Sequence, residues 1–294
     1  MKKAIVLLNM GGAQSPEELK EFLYNMFSDP RIIASSLRHL IAPLIAKFRY
    51  KKSWKNYELI GGSRIDQLTE SLAKQMQEFT DYDVRFAMRY SQPKLQNFIN
   101  QYNEVVLIPL YPHYSFTTVE SSLDEFKTLN FKGKIKLVNP FYQREDFNEI
   151  IFNKIVKSVP KPSEWHLLFS AHGLPQKMID KGDPYAQQIM EHFFILKNKL
   201  SMFQSVDYAY QSRFGYAAWL QPYLHQKLAA YKGKNVLIYP IAFMIDNAET
   251  DYELKLEYEN IAKEIGVQNY KVIDCPNDDI EIAKFLIKLS KESK

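Results

Sequence analysis

Residues 105–110 read VVLIPL, an unbroken apolar run with the length of a β-strand. A run without polar residues at alternate positions is typical of a parallel strand that is buried on both faces. A second run, NVLIYPI at residues 235–241, can be laid on the first with Pro240 over Pro109. The match predicts two similar strand-loop-helix units, one in each half of the chain.

Apolar runs and helical patterns alternate along the whole chain. The predicted strands are Ile5–Leu8, Val84–Met88, Val105–Leu110, Ile135–Val138, Leu167–Phe169, Val206–Tyr210, Val236–Ile241 and Tyr270–Ile273. Helical patterns fall near residues 16–27, 64–80, 92–101, 115–129, 143–157, 183–201, 218–231, 250–265 and 278–292. The alternation predicts an α/β fold of two Rossmann-like domains, each a four-stranded parallel sheet flanked by helices, with an interdomain cleft. We expect an N-terminal domain at residues 1–148, a C-terminal domain at 149–275, and a helix at 276–294 that packs on the first domain.

Composition excludes several classes of protein. Of the 294 residues, 46% are apolar and 24% are charged, which is ordinary for a globular protein and unlike a disordered one. The 38 basic and 34 acidic residues balance to +4, so we expect no nucleic-acid partner. Cys275 is the single cysteine, which excludes an internal disulfide and a cysteine-held iron–sulfur cluster. The first residues form a strand-like run without a signal-peptide cleavage site, and no run of about 18 apolar residues follows, so we expect a cytoplasmic protein.

A histidine follows one of the predicted strands. Residues 169–175 read FSAHGLP, in which Gly173 allows the chain to turn directly after His172. Ligands of open parallel sheets bind beyond the carboxyl ends of the strands, so His172 is placed to act as a base or a metal ligand. A histidine that makes only a structural hydrogen bond would fit the same segment.

Four carboxylates follow another predicted strand at spacings of three and four residues. Asp246, Glu249, Glu253 and Glu257 would share one face of a helix. A row of carboxylates that begins beside a cleft could pass protons or cations. A solvated acidic face is the alternative, and Asp246 could simply cap the helix.

Two further segments carry weaker signals. Residues 36–52 mix Leu37, Leu40, Leu44 and Phe48 with several Lys and Arg side chains, a pattern that fits either an ordinary surface helix or one that contacts a membrane or an apolar anion. The glycine turn NMGG at residues 9–12 has neither the GxGxxG spacing nor a following GK[ST], so a nucleotide-binding transferase is not favoured.

Five ordered motifs extend over nearly the whole chain. They read LNMGG at residues 8–12, IPLYPHYS at 108–115, SAHGLP with KGDPY at 170–185, YQSRFG at 210–215, and PIAF with ETDYEL at 240–254. In this order and spacing they resemble the ferrochelatase family, whose members insert ferrous iron into a porphyrin at the end of haem synthesis. The resemblance implies protoporphyrin IX and Fe(II) as substrates, no tightly bound cofactor, no iron–sulfur cluster, and a monomer that could touch the inner membrane through residues 36–52.

The resemblance also implies roles for individual residues. His172 and Glu249 would be the catalytic pair across the porphyrin centre, with Glu249 serving the face opposite His172, and either could ligate the iron. Asp246, Glu253 and Glu257 would relay protons or metal. The implied porphyrin contacts are Met10, Arg49, Lys52, Ser63, Arg89, Tyr90, Tyr114 and Trp219.

Two positions depart from the family pattern. Many members read Asp-His where this chain has Asp246-Asn247, and an asparagine cannot act as a base. Residues 61–64 read GGSR, with Arg64 in place of the proline in the common Gly-Ser-Pro form. Coproporphyrin as the substrate and a non-catalytic porphyrin or haem carrier on the same fold are therefore the alternatives, of which Asn247 favours the carrier.

Overall fold

The computed structural model describes residues 2–213, 215 and 217–293. Its strands are β1 (Lys3–Asn9), β2 (Asp83–Met88), β3 (Glu104–Pro109), β4 (Lys134–Leu137), β5 (Trp165–His172), β6 (Ser205–Gln211), β7 (Asn235–Pro240) and β8 (Asn269–Val272). Its α-helices are α1 (Pro16–Phe27), α2 (Arg38–Leu59), α3 (Ile65–Gln77), α4 (Ser121–Thr128), α5 (Glu145–Lys157), α6 (Gln176–Asp180), α7 (Tyr185–Lys199), α8 (Leu224–Leu228), α9 (Tyr258–Ile265) and α10 (Ile280–Glu292). Two π-helical segments, Phe116–Glu120 and Glu249–Glu257, lead into α4 and α9.

The strands form two four-stranded parallel sheets with the orders β2-β1-β3-β4 and β6-β5-β7-β8. Each order places the first strand of its half beside the third, so both halves have the same topology. The central strands are buried along most of their length, as their apolar runs predict. The predicted fold class is confirmed.

Most predicted elements occur where the pattern placed them. The capping signal before α1 is used: the Ser15 side chain accepts a hydrogen bond from the Glu18 N–H, and Pro16 follows at the first helical position. Two predicted helices were wrong in extent. Residues 92–101 form only short 3₁₀ turns, and residues 218–231 hold a single short helix, α8, that begins at Leu224.

The long helix α2 was not among the predicted helices. α2 covers the amphipathic segment and holds Pro43 within it. Among the described residues, no helix is both long and apolar enough to cross a membrane.

A continuous apolar core joins the two halves. It includes Ile5 and Leu7 of β1 together with Leu167 and Phe169 of β5. α10 packs against α3 and α5, where the Phe285 and Phe147 rings stack with centroids 5.5 Å apart. The domain boundaries inferred from the sequence remain a prediction.

Candidate active site

The cleft lies where the carboxyl ends of the two sheets meet, which is the position expected for a ligand site in open parallel sheets. It has two cavities, of about 160 Å³ and about 290 Å³, and Met10, Met26 and Glu249 line both. The smaller cavity also has walls from His172 and from the buried Tyr90, Tyr111 and Tyr185. The larger cavity has α1 and α2 on one side and Glu249, Glu253 and Glu257 on the other.

His172 and Glu249 are in direct contact at the floor of the cleft. The His172 Nδ1 and Glu249 Oε2 atoms are 2.7 Å apart, and the two side chains are 33% and 27% exposed. The expectation that the two residues serve opposite faces of a porphyrin remains a prediction for the bound state: a ring between them would need about 7 Å, twice a van der Waals contact, whereas here the two side chains touch. The reason lies in the sheet: His172 ends β5 and Glu249 follows β7, and these strands are neighbours.

Ser212 joins Glu249 to Glu253. Its hydroxyl lies 3.0 Å from Glu249 Oε2 and makes a short hydrogen bond with Glu253, while its backbone N–H donates to Glu253 at 2.8 Å. The Gln211 amide is 3.4 Å from both carboxylates. Ser212 adopts a left-handed backbone conformation, with φ of 65°, which turns its N–H and hydroxyl toward the same carboxylate.

These contacts move the pKa values of the three titratable groups apart. Burial lowers the pKa of His172, but the charge and hydrogen bond of Glu249 outweigh it and the net pKa is raised. Burial raises the pKa of Glu249, but His172, Ser212 and Gln211 outweigh it and the net pKa is lowered. Burial and the charge of Glu249 raise the pKa of Glu253 to about 7. Groups with separated pKa values at one site are suited to passing protons between them.

The acidic row holds three of the four predicted carboxylates. Glu249, Glu253 and the exposed Glu257 line the larger cavity. Asp246 lies before the helical segment begins, and its carboxylate accepts hydrogen bonds from the Asn277 amide at 2.7 Å and the Cys275 N–H at 3.3 Å. Asp246 is therefore directed away from the row and takes no place in it.

Asn247 lies directly before the N-cap residue of the π-helical segment and makes hydrogen bonds to its first turn. Its side-chain oxygen accepts a hydrogen bond from the Glu249 N–H at 2.8 Å, and its own N–H donates to the Thr250 hydroxyl at 2.9 Å. π-helical segments are rare in proteins, and those that occur are often found at functional sites. In this chain the asparagine holds the backbone that presents Glu249.

Three of the predicted porphyrin contacts lie in the cleft, and a fourth lies beside it. Met10 lines both cavities, Tyr90 the smaller one and Ser63 the larger one. Trp219 lies against the turn after His172, where a Cβ on Gly173 would meet its ring at 3.4 Å. Phe214, which belongs to the YQSRFG motif, lies outside the described residues.

The other predicted porphyrin contacts line neither cavity. The Arg89 guanidinium donates to Asp29 at 2.9 Å and to the Ser121 hydroxyl at 2.9 Å, so its charge is used within the wall of the cleft. The Tyr114 hydroxyl donates to Glu120.

On α2, the residues that face the cleft are Ser53, Asn56 and Tyr57. Arg49 and Lys52 lie about one turn closer to the N-terminus, and the Arg49 guanidinium stands 5.7 Å from the Phe27 ring centroid.

A buried histidine pair lies beside the smaller cavity, whose wall includes His113. The Asn148 amide donates to the carbonyls of Tyr142 and Arg144, so its oxygen accepts from His192 Nε2 at 3.1 Å. His192 Nδ1 is then an acceptor, and it receives the N–H of His113 Nε2 at 2.9 Å. Burial lowers the pKa of both histidines, that of His192 to about 3, so the pair stays neutral at physiological pH.

Sequence reasoning missed several residues at this site. Ser212 and Gln211 stand in a quoted motif, but nothing local shows that they reach Glu253. Tyr185, also in a motif, donates its hydroxyl to the His172 carbonyl at 3.0 Å. Within the described part of the chain, no group of three or more His, Cys, Asp or Glu side chains is arranged to hold a metal ion.

Comparisons with known proteins find one family over nearly the whole chain. The family model described as Ferrochelatase matches residues 2–294. A ferrochelatase of Campylobacter concisus is 44% identical over 313 residues, covering 100% of this chain and 99% of the relative. A ferrochelatase of Helicobacter pylori strain J99 is 37% identical over 314 residues, covering 100% of this chain and 94% of the relative.

Solved structures share the fold at low sequence identity. The sirohydrochlorin chelatase SirB of Bacillus subtilis subspecies spizizenii, in complex with cobalt, matches with a TM-score of 0.59 and 10% identity over 99% of this chain and 95% of that one. CbiX, the terminal enzyme for biosynthesis of sirohaem in denitrifying bacteria, matches with a TM-score of 0.56 and 14% identity over 99% of each chain.

Proposed function

Because this chain belongs to the ferrochelatase family, we propose that His172 and Glu249 remove the pyrrole protons while ferrous iron enters protoporphyrin IX. The chain is an enzyme of haem biosynthesis, a lyase that inserts iron into a porphyrin. The contact between His172 and Glu249, linked through Ser212 to Glu253, is the observation that supports these roles.

The first step uses the free nitrogen of the imidazole. Glu249 accepts the Nδ1–H of His172, which leaves Nε2 with a lone pair, and Nε2 makes no hydrogen bond to the described residues. A pyrrole N–H transfers its proton to Nε2, and the imidazolium that forms is stabilised by the charges of Glu249 and Glu253. The deprotonated pyrrole nitrogen then binds the iron.

The second step clears the proton. The imidazolium passes its Nδ1 proton to Glu249, and the Ser212 hydroxyl lies between Glu249 and Glu253 to carry it onward. Glu253, with its pKa near 7, releases the proton toward the exposed Glu257 at the mouth of the larger cavity. This pass leaves the imidazole protonated at Nε2, so the second pyrrole proton goes to the Glu249 carboxylate, which lines both cavities, and the two transfers give one haem and two protons. Asp246 has no part in this route, because its carboxylate faces Asn277.

The porphyrin itself would be held between the two sheets. Met10 and Tyr90 approach from the first sheet and His172 from the second, so a bent macrocycle could be gripped on both faces. The NMGG turn at residues 9–12 resembles that of family members that use protoporphyrin, whereas members that use coproporphyrin often have a tyrosine in this turn, which favours protoporphyrin as the substrate. Membership of the family favours the enzyme over a non-catalytic carrier, and Asn247 has a structural role of its own, since it supports the segment that presents Glu249.

A spectroscopic insertion assay tests the proposal. The wild-type protein is mixed with protoporphyrin or coproporphyrin and with anaerobic Fe(II) or Zn(II), and the Soret band and porphyrin fluorescence are followed. We expect faster turnover with protoporphyrin, and a loss of at least 10²-fold in His172→Ala and Glu249→Gln, the scale of general acid–base catalysis. Porphyrin binding should persist in both variants.

Two results would contradict the assignment. Full activity in His172→Ala would remove the proposed base. Tight porphyrin binding without metal-dependent turnover in the wild type would favour the alternative function, a non-catalytic porphyrin or haem carrier. Glu257→Gln is the matched control, because its carboxylate is exposed at the end of the row, and it should lose little activity.

α2 supports a second proposal, that the protein is a cytoplasmic monomer that docks on an anionic membrane surface. Leu37, Leu40, Leu44 and Phe48 recur at three- and four-residue spacing and are 57%, 69%, 57% and 77% exposed. The exposed Lys47, Lys51 and Lys52 lie along the same helix and would meet lipid phosphates.

Vesicle binding tests this docking. We expect sedimentation with phosphatidylglycerol vesicles to be weakened by Leu44→Ser and Phe48→Ser and by high salt. Phe194→Ser is the control, because Phe194 on α7 is 52% exposed but lies outside the stripe. Equal binding by all variants would refute the docking surface, and analytical ultracentrifugation of the free protein checks the monomer.

A further inference from the structure

Arg64, on one side of the cleft, is hydrogen-bonded to the π-helical segment Glu249–Glu257 on the other side. Arg64 follows the turn between α2 and α3, and its guanidinium donates two hydrogen bonds to Asp251, from Nε at 3.0 Å and from Nη2 at 2.9 Å. The two residues are 187 positions apart in the chain. Two parallel hydrogen bonds from one guanidinium fix orientation as well as distance, which a single hydrogen bond from a lysine does not.

Asp251 is the centre of a charged cluster. Its carboxylate is 8% exposed and also accepts Lys255 Nζ at 2.8 Å. Lys255 in turn lies 2.7 Å from Asp274 and 3.8 Å from the fully buried Asp246. Two cations and three carboxylates therefore hold the back of the π-helical segment Glu249–Glu257.

The geometry of the segment connects this cluster to the catalytic side chains. Asp251 is two residues from Glu249 and two residues from Glu253. Residues two apart on a helix point to different sides, whereas residues four apart share a face. Asp251 thus faces Arg64 while Glu249 and Glu253 face His172 and Ser212, so a clamp on the back of the segment sets the direction of its front.

We infer that Arg64 is a positioning residue: through Asp251 it holds the π-helical segment so that Glu249 meets His172 and Glu253 meets Ser212. This inference rests on the proposed function of those residues. The competing role for an arginine at this rim, binding a porphyrin carboxylate, is disfavoured because its fork is occupied by Asp251.

The test compares Arg64→Met, which keeps most of the stem, with Arg64→Lys, which keeps the charge without the fork. Zn(II) insertion is measured for kcat, for the KM of protoporphyrin and for the pH dependence of kcat. We expect kcat to fall about 10-fold in both variants, since small displacements of catalytic groups are costly, while KM changes less than about 2-fold. The pH below which kcat falls should move lower, because Glu253 would lose part of its burial and its proximity to Glu249, the two causes that raise its pKa.

A double-mutant cycle shows whether Arg64 acts through Asp251. Asp251→Asn also weakens the contact with Lys255, so it should cost at least as much kcat as Arg64→Met, and adding Arg64→Met to it should cost little more, because the contact that the two residues share is already broken. Arg85→Met is the matched control: it breaks the exposed ion pair with Asp83, away from the cleft, and should leave kcat unchanged. Circular dichroism confirms that each variant is folded.

Three results would overturn the inference. A large rise in KM with normal kcat would show that Arg64 binds the substrate. Additive losses in the cycle would show that Arg64 does not act through Asp251. An unchanged pH profile would show that the pair only stabilises the fold. His172→Ala is assayed alongside. Full activity there overturns the proposed function, whereas its loss together with normal kinetics in Arg64→Met overturns only the inference.

Discussion

Glu253→Gln should stabilise the protein at alkaline pH while slowing the reaction. Burial and the charge of Glu249 raise the pKa of Glu253 from an ordinary 4.5 to about 7 in the folded state. The folded protein therefore holds this proton more tightly than the unfolded chain, so stability falls as pH rises from about 4.5 to 7. The difference between the two pKa values corresponds to about 3 kcal/mol above pH 7, at about 1.36 kcal/mol per pH unit.

A glutamine removes this cost because it stays neutral. At pH 8 we expect Glu253→Gln to gain about 3 kcal/mol in the free energy of unfolding, and at pH 5 less than about 1 kcal/mol, since there the wild-type carboxyl is itself protonated in the folded state. The gain at pH 8 exceeds the gain at pH 5 by about 2 kcal/mol, which is worth about 4 °C in melting temperature for a chain of this length.

Urea unfolding and calorimetry at pH 5, 6, 7 and 8 measure the effect, with insertion kinetics on the same samples. Glu257→Gln, at the exposed end of the row, is the control and should show no such dependence on pH. An equal change in stability at pH 5 and pH 8 for Glu253→Gln would refute the argument that Glu253 is buried with a raised pKa. Unchanged kinetics would remove it from the proton route.

Two further predictions concern the residues around the cleft. Ser212→Gly keeps the left-handed backbone accessible but removes the hydroxyl, whose hydrogen bonds lower the pKa values of Glu249 and Glu253. The pH below which kcat falls should therefore rise by about one unit. An unchanged pH profile would exclude the hydroxyl from the relay. His192 has a pKa near 3 in the folded state against an ordinary value of 6.5, so on acidification the unfolded chain gains a proton first, and the free energy of unfolding should fall by about 2 kcal/mol between pH 7.5 and 5. In urea unfolding, His192→Gln should remove this loss, whereas the control His225→Gln, at an exposed histidine, should keep it. The same pH dependence in the wild type and in both variants would contradict the buried neutral pair.

Residues close together in the chain determined a large part of this structure. The apolar runs are recognisable as strands because a strand buried on both faces needs every side chain to be apolar, and their alternation with helical patterns predicted the two parallel sheets. That topology also placed His172 and Glu249 at the cleft, since both follow strands whose carboxyl ends meet there. The ordered motifs then indicated the family.

Tertiary structure decided how these groups meet. His172 and Glu249 are 77 residues apart, and whether they face each other across a ligand or touch depends on β5 and β7 being neighbours, which the order of strands along the chain does not state. The regular helical spacing placed Asp246 with the other carboxylates, yet the helical segment begins after it and Asn277 takes its carboxylate. The Ser212 bridge and the Arg64–Asp251 clamp join residues 41 and 187 positions apart. Hydrophobic periodicity is a local property of the chain, whereas a hydrogen bond between distant side chains exists only once the sheets and helices have been assembled.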